Sequence, residues 1–175
     1  MGLAALPPAV LSATTSVPTN APTSLGADFQ SGHGIITLIT IALVVTCVMI
    51  HYEVLKVLTR ALAHLHTAHR TRVLVLIWGL LLTHLLEIWI YGFACFALDG
   101  RADFGHLTGV KREGLPDHIY FSFVTYTTVG YGDIVPVGPI RFLSALEALS
   151  GWVLIGWSTS FTFLEMQRFW RNDNR

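Results

Sequence analysis

The run Thr127-Thr128-Val129-Gly130-Tyr131-Gly132-Asp133 carries the densest chemical signal in the chain. A strand whose successive carbonyls face one axis can replace the water shell of a dehydrated cation with a cage of oxygens, and a threonine hydroxyl at its start adds one more. Such a strand needs backbone angles that side chains resist. Gly130 and Gly132 accept those angles because they lack a Cβ. Thr127 and Asp133 flank that strand directly, and Tyr120 lies seven residues before Thr127.

Polar residues inside apolar runs are the next candidates. His84 and Glu87 are one helical turn apart and share a face. Counted at about 1.5 Å per residue from the outer ends of their segments, Glu87 and Glu147 fall at similar depth, on the order of 15 Å in. A charge at that depth is costly and is expected to face protein. His84, Glu87 and Glu147 are therefore read as one hydrogen-bonded acidic cluster, a static packing network ahead of a proton-sensitive gate. His64, His66 and His69 lie close in sequence, but His64 sits well round the helix from the other two. Zinc takes three or four convergent ligands, so solvated or interfacial histidines are expected there. His106 and His118 are expected at the exposed outer mouth, and Cys47 and Cys95 as buried free thiols.

These residues need elements to position them. The chain has 175 residues, 53% hydrophobic and 13% charged, with a mean hydropathy of +0.57, which is a membrane composition. Its formal net charge of zero gives no reason to expect nucleic acid or an acidic substrate. Three apolar segments are long enough to cross a bilayer, a crossing that takes about 20 residues as helix. In lipid their backbone must satisfy itself, so helices are expected. The expected order is a flexible tail over 1–33, a first transmembrane helix over 34–57 and a basic loop or helix over 58–72. An outer helix over 73–98, a linker over 99–116, a short re-entrant helix over 117–127, the strand at 128–132, an inner helix over 139–166 and a short tail over 167–175 follow. Asp117, after Pro116, is expected to cap the re-entrant helix. Val54, Leu58, Leu62 and Leu65 recur at helical spacing, either as an amphipathic stretch at the headgroups or as a simple hairpin connection.

From about residue 73 to 166 the chain resembles the pore of bacterial two-helix potassium channels. The resemblance rests on Tyr120-Phe121-Ser122-Phe123-Val124-Thr125-Tyr126 leading into the Thr127–Asp133 run, on Ile134-Val135-Pro136, and on Arg141, Glu147 and Gly151. It implies that Thr128, Val129, Gly130, Tyr131 and Gly132 supply the oxygens that coordinate K+, Thr128 through its hydroxyl as well. It implies that the Tyr131 ring turns away from the pore to brace the filter and that Asp133 stands just above and behind it. Many relatives pair that aspartate with a tryptophan or glutamate. Here those positions hold Tyr120 and Val124, which leaves the Tyr120 hydroxyl as donor and predicts altered filter inactivation. Gly151, and with less weight Gly156, let the inner helix bend, with close helix packing as an equal alternative. The first helix and the tail lie outside the resemblance.

The implied fold class is an all-α membrane protein: three transmembrane helices plus a re-entrant pore helix and selectivity filter, closed as a homotetramer around a central pore. A pore helix that enters from outside places the N-terminus outside and the C-terminus in the cytoplasm. Lys56, Arg60, Arg70 and Arg72, with Arg168, Arg171 and Arg175, then fall inside, as the positive-inside bias requires. Trp78 and Trp170 suit the inner interface, Tyr91 and Phe93 the outer. The resemblance implies a plasma membrane, bacterial in source, with K+ as permeant ligand, no cofactor, and identical copies and lipid as partners. Passive conduction is the expected activity. A potassium transporter subunit is the less favoured reading, because such chains usually join four imperfect repeats, and so is a non-conducting accessory subunit. No span carries a ladder of basic residues for voltage sensing, and no nucleophile–base pair or phosphate loop suggests an enzyme.

Overall fold

The computed structural model describes residues 23–64, 69–101, 103–109 and 114–173, with side chains from 33 to 168 apart from residue 69. The tail over 1–22 and His66 thus lie outside what it describes, as does the side chain of Trp170. Four helices and two short strands follow in order: α1 Thr23–His64, α2 His69–Leu98, β1 His106–Thr108, α3 Leu115–Tyr126, β2 Val135–Val137 and α4 Ile140–Asp173. Three helical stretches, His33–His64, Arg70–Leu98 and Ile140–Arg168, are long and apolar enough to cross a membrane. At 29 to 32 residues they are about 44–48 Å long, against a hydrocarbon core of about 30 Å. Their ends therefore project into the interfaces or the helices tilt.

Several boundaries differ from those read in the sequence. Thr23 to His33 is helical, because a helix nucleated by the apolar run extends into polar sequence at little further cost. Residues 58–64 continue α1, and 69–72 already belong to α2. Leu55, Leu58 and Leu62 pack against Leu76 and Leu80, so these leucines join two helices of a hairpin instead of lying on headgroups. α4 runs on through the expected tail to Asp173. Tyr91, expected at the outer interface, is fully buried, and its hydroxyl pairs with Ser150 Oγ at 2.9 Å.

A two-stranded antiparallel ribbon, absent from the all-helical expectation, pairs the outer linker with the segment between the strand at 128–132 and α4. His106, Leu107 and Thr108 lie opposite Val137, Pro136 and Val135. Asp99, at the end of α2, receives the Leu107 N–H at 2.7 Å and His118 Nε2 at 2.8 Å. His118 is buried rather than exposed at the mouth, and its Nδ1 meets the Gly114 carbonyl at 2.9 Å. One carboxylate thereby fastens the ribbon and α3 to the top of α2. α3 begins two residues early, at Leu115, with Gly114 as its N-cap and no side chain capping it. Asp117 falls in its first turn, where a negative charge still meets the positive end of the helix dipole.

The helices pack as α2 against α3, α4 against both, and α1 along α2 and α4. Their shared core holds Ile36 and Cys47 of α1, Cys95 of α2, Phe121 of α3 and Leu143 and Leu154 of α4. Both cysteines are buried and free.

Candidate functional site

The strand at 128–132 leaves the C-terminal end of α3, and all five residues are exposed on the single chain. Three N–H groups tie it to that helix end. Thr128 donates to the Thr125 carbonyl at 2.9 Å, and Val129 and Gly130 both donate to the Val124 carbonyl, at 3.0 and 3.2 Å. Gly130 and Gly132 adopt φ of +56° and +79°, and Thr128 adopts +60°. For a β-branched residue that conformation costs about 1–3 kcal/mol and persists only where the surroundings impose it. The Thr127 hydroxyl bonds back to the Phe123 carbonyl at 2.7 Å, closing the last turn. Tyr131 is 72% exposed, so any contact bracing its ring must come from another chain.

Beside the strand the Tyr120 hydroxyl donates to Asp133 Oδ2 at 3.0 Å. That bond raises the tyrosine's pKa, because the carboxylate holds the phenolic proton. Tyr120 and Asp133 also line a cavity of about 260 Å³ that reaches Gly130, Gly132 and, on α4, Ser144.

Below the strand, the polar residues of the membrane interior group differently from the expectation. Glu87 Oε1 meets His51 Nδ1 at 3.0 Å. Glu87 Oε2 takes a short hydrogen bond from the Tyr126 hydroxyl and lies 3.3 Å from His84 Nδ1. His84 Nδ1 is 3.0 Å from the Tyr126 oxygen, and Ser158 Oγ joins His84 Nε2 at 3.0 Å to His51 Nε2 at 3.2 Å. The ring thus closes through all four helices and ends on Tyr126, the last residue of α3. His84 and Glu87 are in it, but Glu147 is not. The Glu147 carboxylate is fully buried and neither of its oxygens finds a hydrogen-bond partner among the described residues. Ser122 faces it without reaching hydrogen-bond geometry. His51 escaped the sequence reading. Its signal was an imidazole embedded at Ile50-His51-Tyr52, in a span where a polar group must find a protein partner.

The two inner-helix glycines differ. A Cβ on Gly151 would run into the Tyr126 carbonyl oxygen, so α4 approaches the base of the strand as closely as backbone allows. Around Gly156 the single chain leaves open space.

Comparison with known proteins bears on the same region. A family model described as ion channel matches residues 73–168, from α2 through α4. Two-pore potassium channel 1 of Arabidopsis thaliana is 44% identical over 66 residues, 37% of this chain and 17% of that protein. The inward rectifier potassium channel Kirbac3.1 of Paramagnetospirillum magnetotacticum is 28% identical over 101 residues, 57% of this chain and 34% of that protein. Protein LctB of Geobacillus stearothermophilus is 41% identical over 46 residues, 26% of this chain and 34% of that protein. The chain thus spans 17% to 34% of the length of these relatives. No solved structure is similar enough to count as a match. With three helices suited to a membrane and a pore-like segment between the last two, the chain is a multi-pass membrane protein and belongs to the ion channel family.

Proposed function

We propose that the chain is one subunit of a homotetrameric potassium-selective channel, with K+ coordinated by Thr128, Val129, Gly130, Tyr131 and Gly132. The observation that carries this reading is the strand at 128–132. Its first three N–H groups turn back onto α3, two of its glycines take left-handed angles, and the whole of it is exposed on one chain. An anchored N–H side leaves the carbonyls of the strand for an ion. The C-terminal, partially negative end of α3 favours a cation beneath. Four copies about an axis supply the rings of oxygens that a dehydrated K+ requires, and ion–ion repulsion keeps binding from becoming a trap.

In this reading the channel conducts passively and is not intrinsically voltage-gated. It sits in a plasma membrane with its N-terminus outside and its C-terminus in the cytoplasm, and a bacterial inner membrane is the expected setting. Similarity to potassium channels over 37% and 57% of the chain supports K+ as the permeant ion. Purified protein in liposomes tests it. Expected is K+ flux driven by a gradient alone, strongly favoured over Na+, and abolished by Gly130→Ala. Equal fluxes of the two ions would overturn the selectivity. No flux would point to an accessory subunit, and flux that requires a second gradient to a transporter.

A further inference from the structure

The ring beneath the strand is one hydrogen short when each of its groups is in its ordinary state at neutral pH. With both imidazoles neutral and Glu87 ionised, His51, His84, Tyr126 and Ser158 bring one hydrogen each, four in all, to five hydrogen bonds. If His51 Nδ1 donates to Glu87, its Nε2 must accept from Ser158. Ser158 then accepts from His84 Nε2, and His84 Nδ1 is left with a lone pair. The Tyr126 hydrogen is already committed to Glu87, so that lone pair faces only oxygens.

One proton on Glu87 or on an imidazole completes the count, and so does a metal cation at the Nδ1 side, where the ligand atoms converge. Both Nδ1 atoms lie against the Glu87 carboxylate, at 3.0 and 3.3 Å from its two oxygens. Zinc with bonds of about 2.0–2.1 Å to nitrogen and oxygen sets its tetrahedral ligands about 3.3 Å apart. One ligand atom from each of His51, His84 and Glu87 lies within 4.8 Å of the others. With both Nδ1 lone pairs on a metal, both Nε2 atoms carry hydrogen, and Ser158 Oγ has two lone pairs to receive them. That is the outer-shell bond that fixes the tautomer of metal-bound histidines. The Tyr126 hydroxyl stands beside the carboxylate and 3.0 Å from His84 Nδ1, and its oxygen keeps a lone pair for a fourth position while its hydrogen stays on Glu87. Two imidazoles and a carboxylate suit zinc and its transition-metal neighbours, and not K+, Mg2+ or Ca2+.

We propose that His51, His84 and Glu87, with Tyr126 as fourth ligand, form a binding site for a zinc-class divalent cation that staples α1 to α2 and to the base of the filter. The site gives the first helix, outside the matched family region, a direct hold on the residue from which the strand departs.

Protein purified from cells grown with added cobalt tests it, cobalt being a visible stand-in for zinc. Expected is about one cobalt per chain, with the intense visible absorption of a four-coordinate ion. His51→Ala and Glu87→Gln should each lower the content at least tenfold, with helical circular dichroism unchanged. Combined His64→Ala, His66→Ala and His69→Ala should leave it intact. Wild type carrying no more cobalt than these ring variants would overturn the proposal, whether the ring then holds a proton or only its own hydrogen bonds. So would loss of the metal in the triple variant. If the ring variants fail to fold, X-ray absorption at the cobalt edge of wild type decides. Two imidazoles plus oxygen uphold the site, and a shell without two imidazoles overturns it.

Discussion

Tyr120 and Asp133 form a pair at the outer mouth whose behaviour with pH follows from its chemistry. The tyrosine's pKa is raised by the hydrogen bond to Asp133. A raised value means the stabilisation is complete below the ordinary tyrosine pKa of about 10 and is lost as pH rises through the higher folded value. The melting temperature of wild type should therefore fall on the alkaline side of about pH 10, and that limb should flatten in Tyr120→Phe, as read by thermal denaturation in detergent. Glu147 poses a different question. Its carboxylate has no hydrogen-bond partner among the described residues, so it belongs to no relay. Glu147→Gln should leave the pH profile of K+ flux unchanged, and a displaced profile would make it a gate. An expected depth for it could be counted along the chain, but its separation from the Glu87 ring could not. Counting rise along a helix fixes height in the membrane, whereas rotation about the axis depends on every contact the helix makes. Glu87 and Glu147 accordingly share no hydrogen-bond network, and His51, which no motif marked, takes the place beside Glu87.

Among the elements, the approach of α4 to α3 is set by one missing side chain. Gly151→Val would drive a Cβ into the backbone carbonyl of Tyr126, which cannot step aside as a flexible side chain would. It should cost about 1–3 kcal/mol and lower the melting temperature. Gly156→Ala should change stability by less than about 0.5 kcal/mol. If Gly151 is a hinge instead, flux should alter while the melt holds. The top of the fold depends on Asp99, which accepts from both Leu107 and His118. Asp99→Ala leaves a buried imidazole and a backbone N–H without their acceptor. It should destabilise by about 1–3 kcal/mol, with proteolysis appearing first between α2 and α3. The helices were legible because their signals are local: long apolar runs, a short polar-flanked helix, a glycine pair. The ribbon was not, since each strand has three residues, β2 holds Pro136 at its centre, and even the nearest paired residues, Thr108 and Val135, are 27 positions apart.

For the molecule as a whole, the exposed strand is the main argument for assembly. Native mass spectrometry in detergent should find complexes of roughly four times the 19.3 kDa chain. A monomer or dimer as the largest species would remove the proposed pore. A cysteine placed ahead of α1 should react with an impermeant thiol reagent in intact cells, and one placed after α4 should not. Sharing one passage among several chains also has a genetic consequence. When equal amounts of wild-type and Gly130→Ala polypeptide are made together and assort at random, about one complex in sixteen escapes the altered copy. An allele lesioned at this single glycine should therefore behave as dominant, silencing most of the product of its intact counterpart.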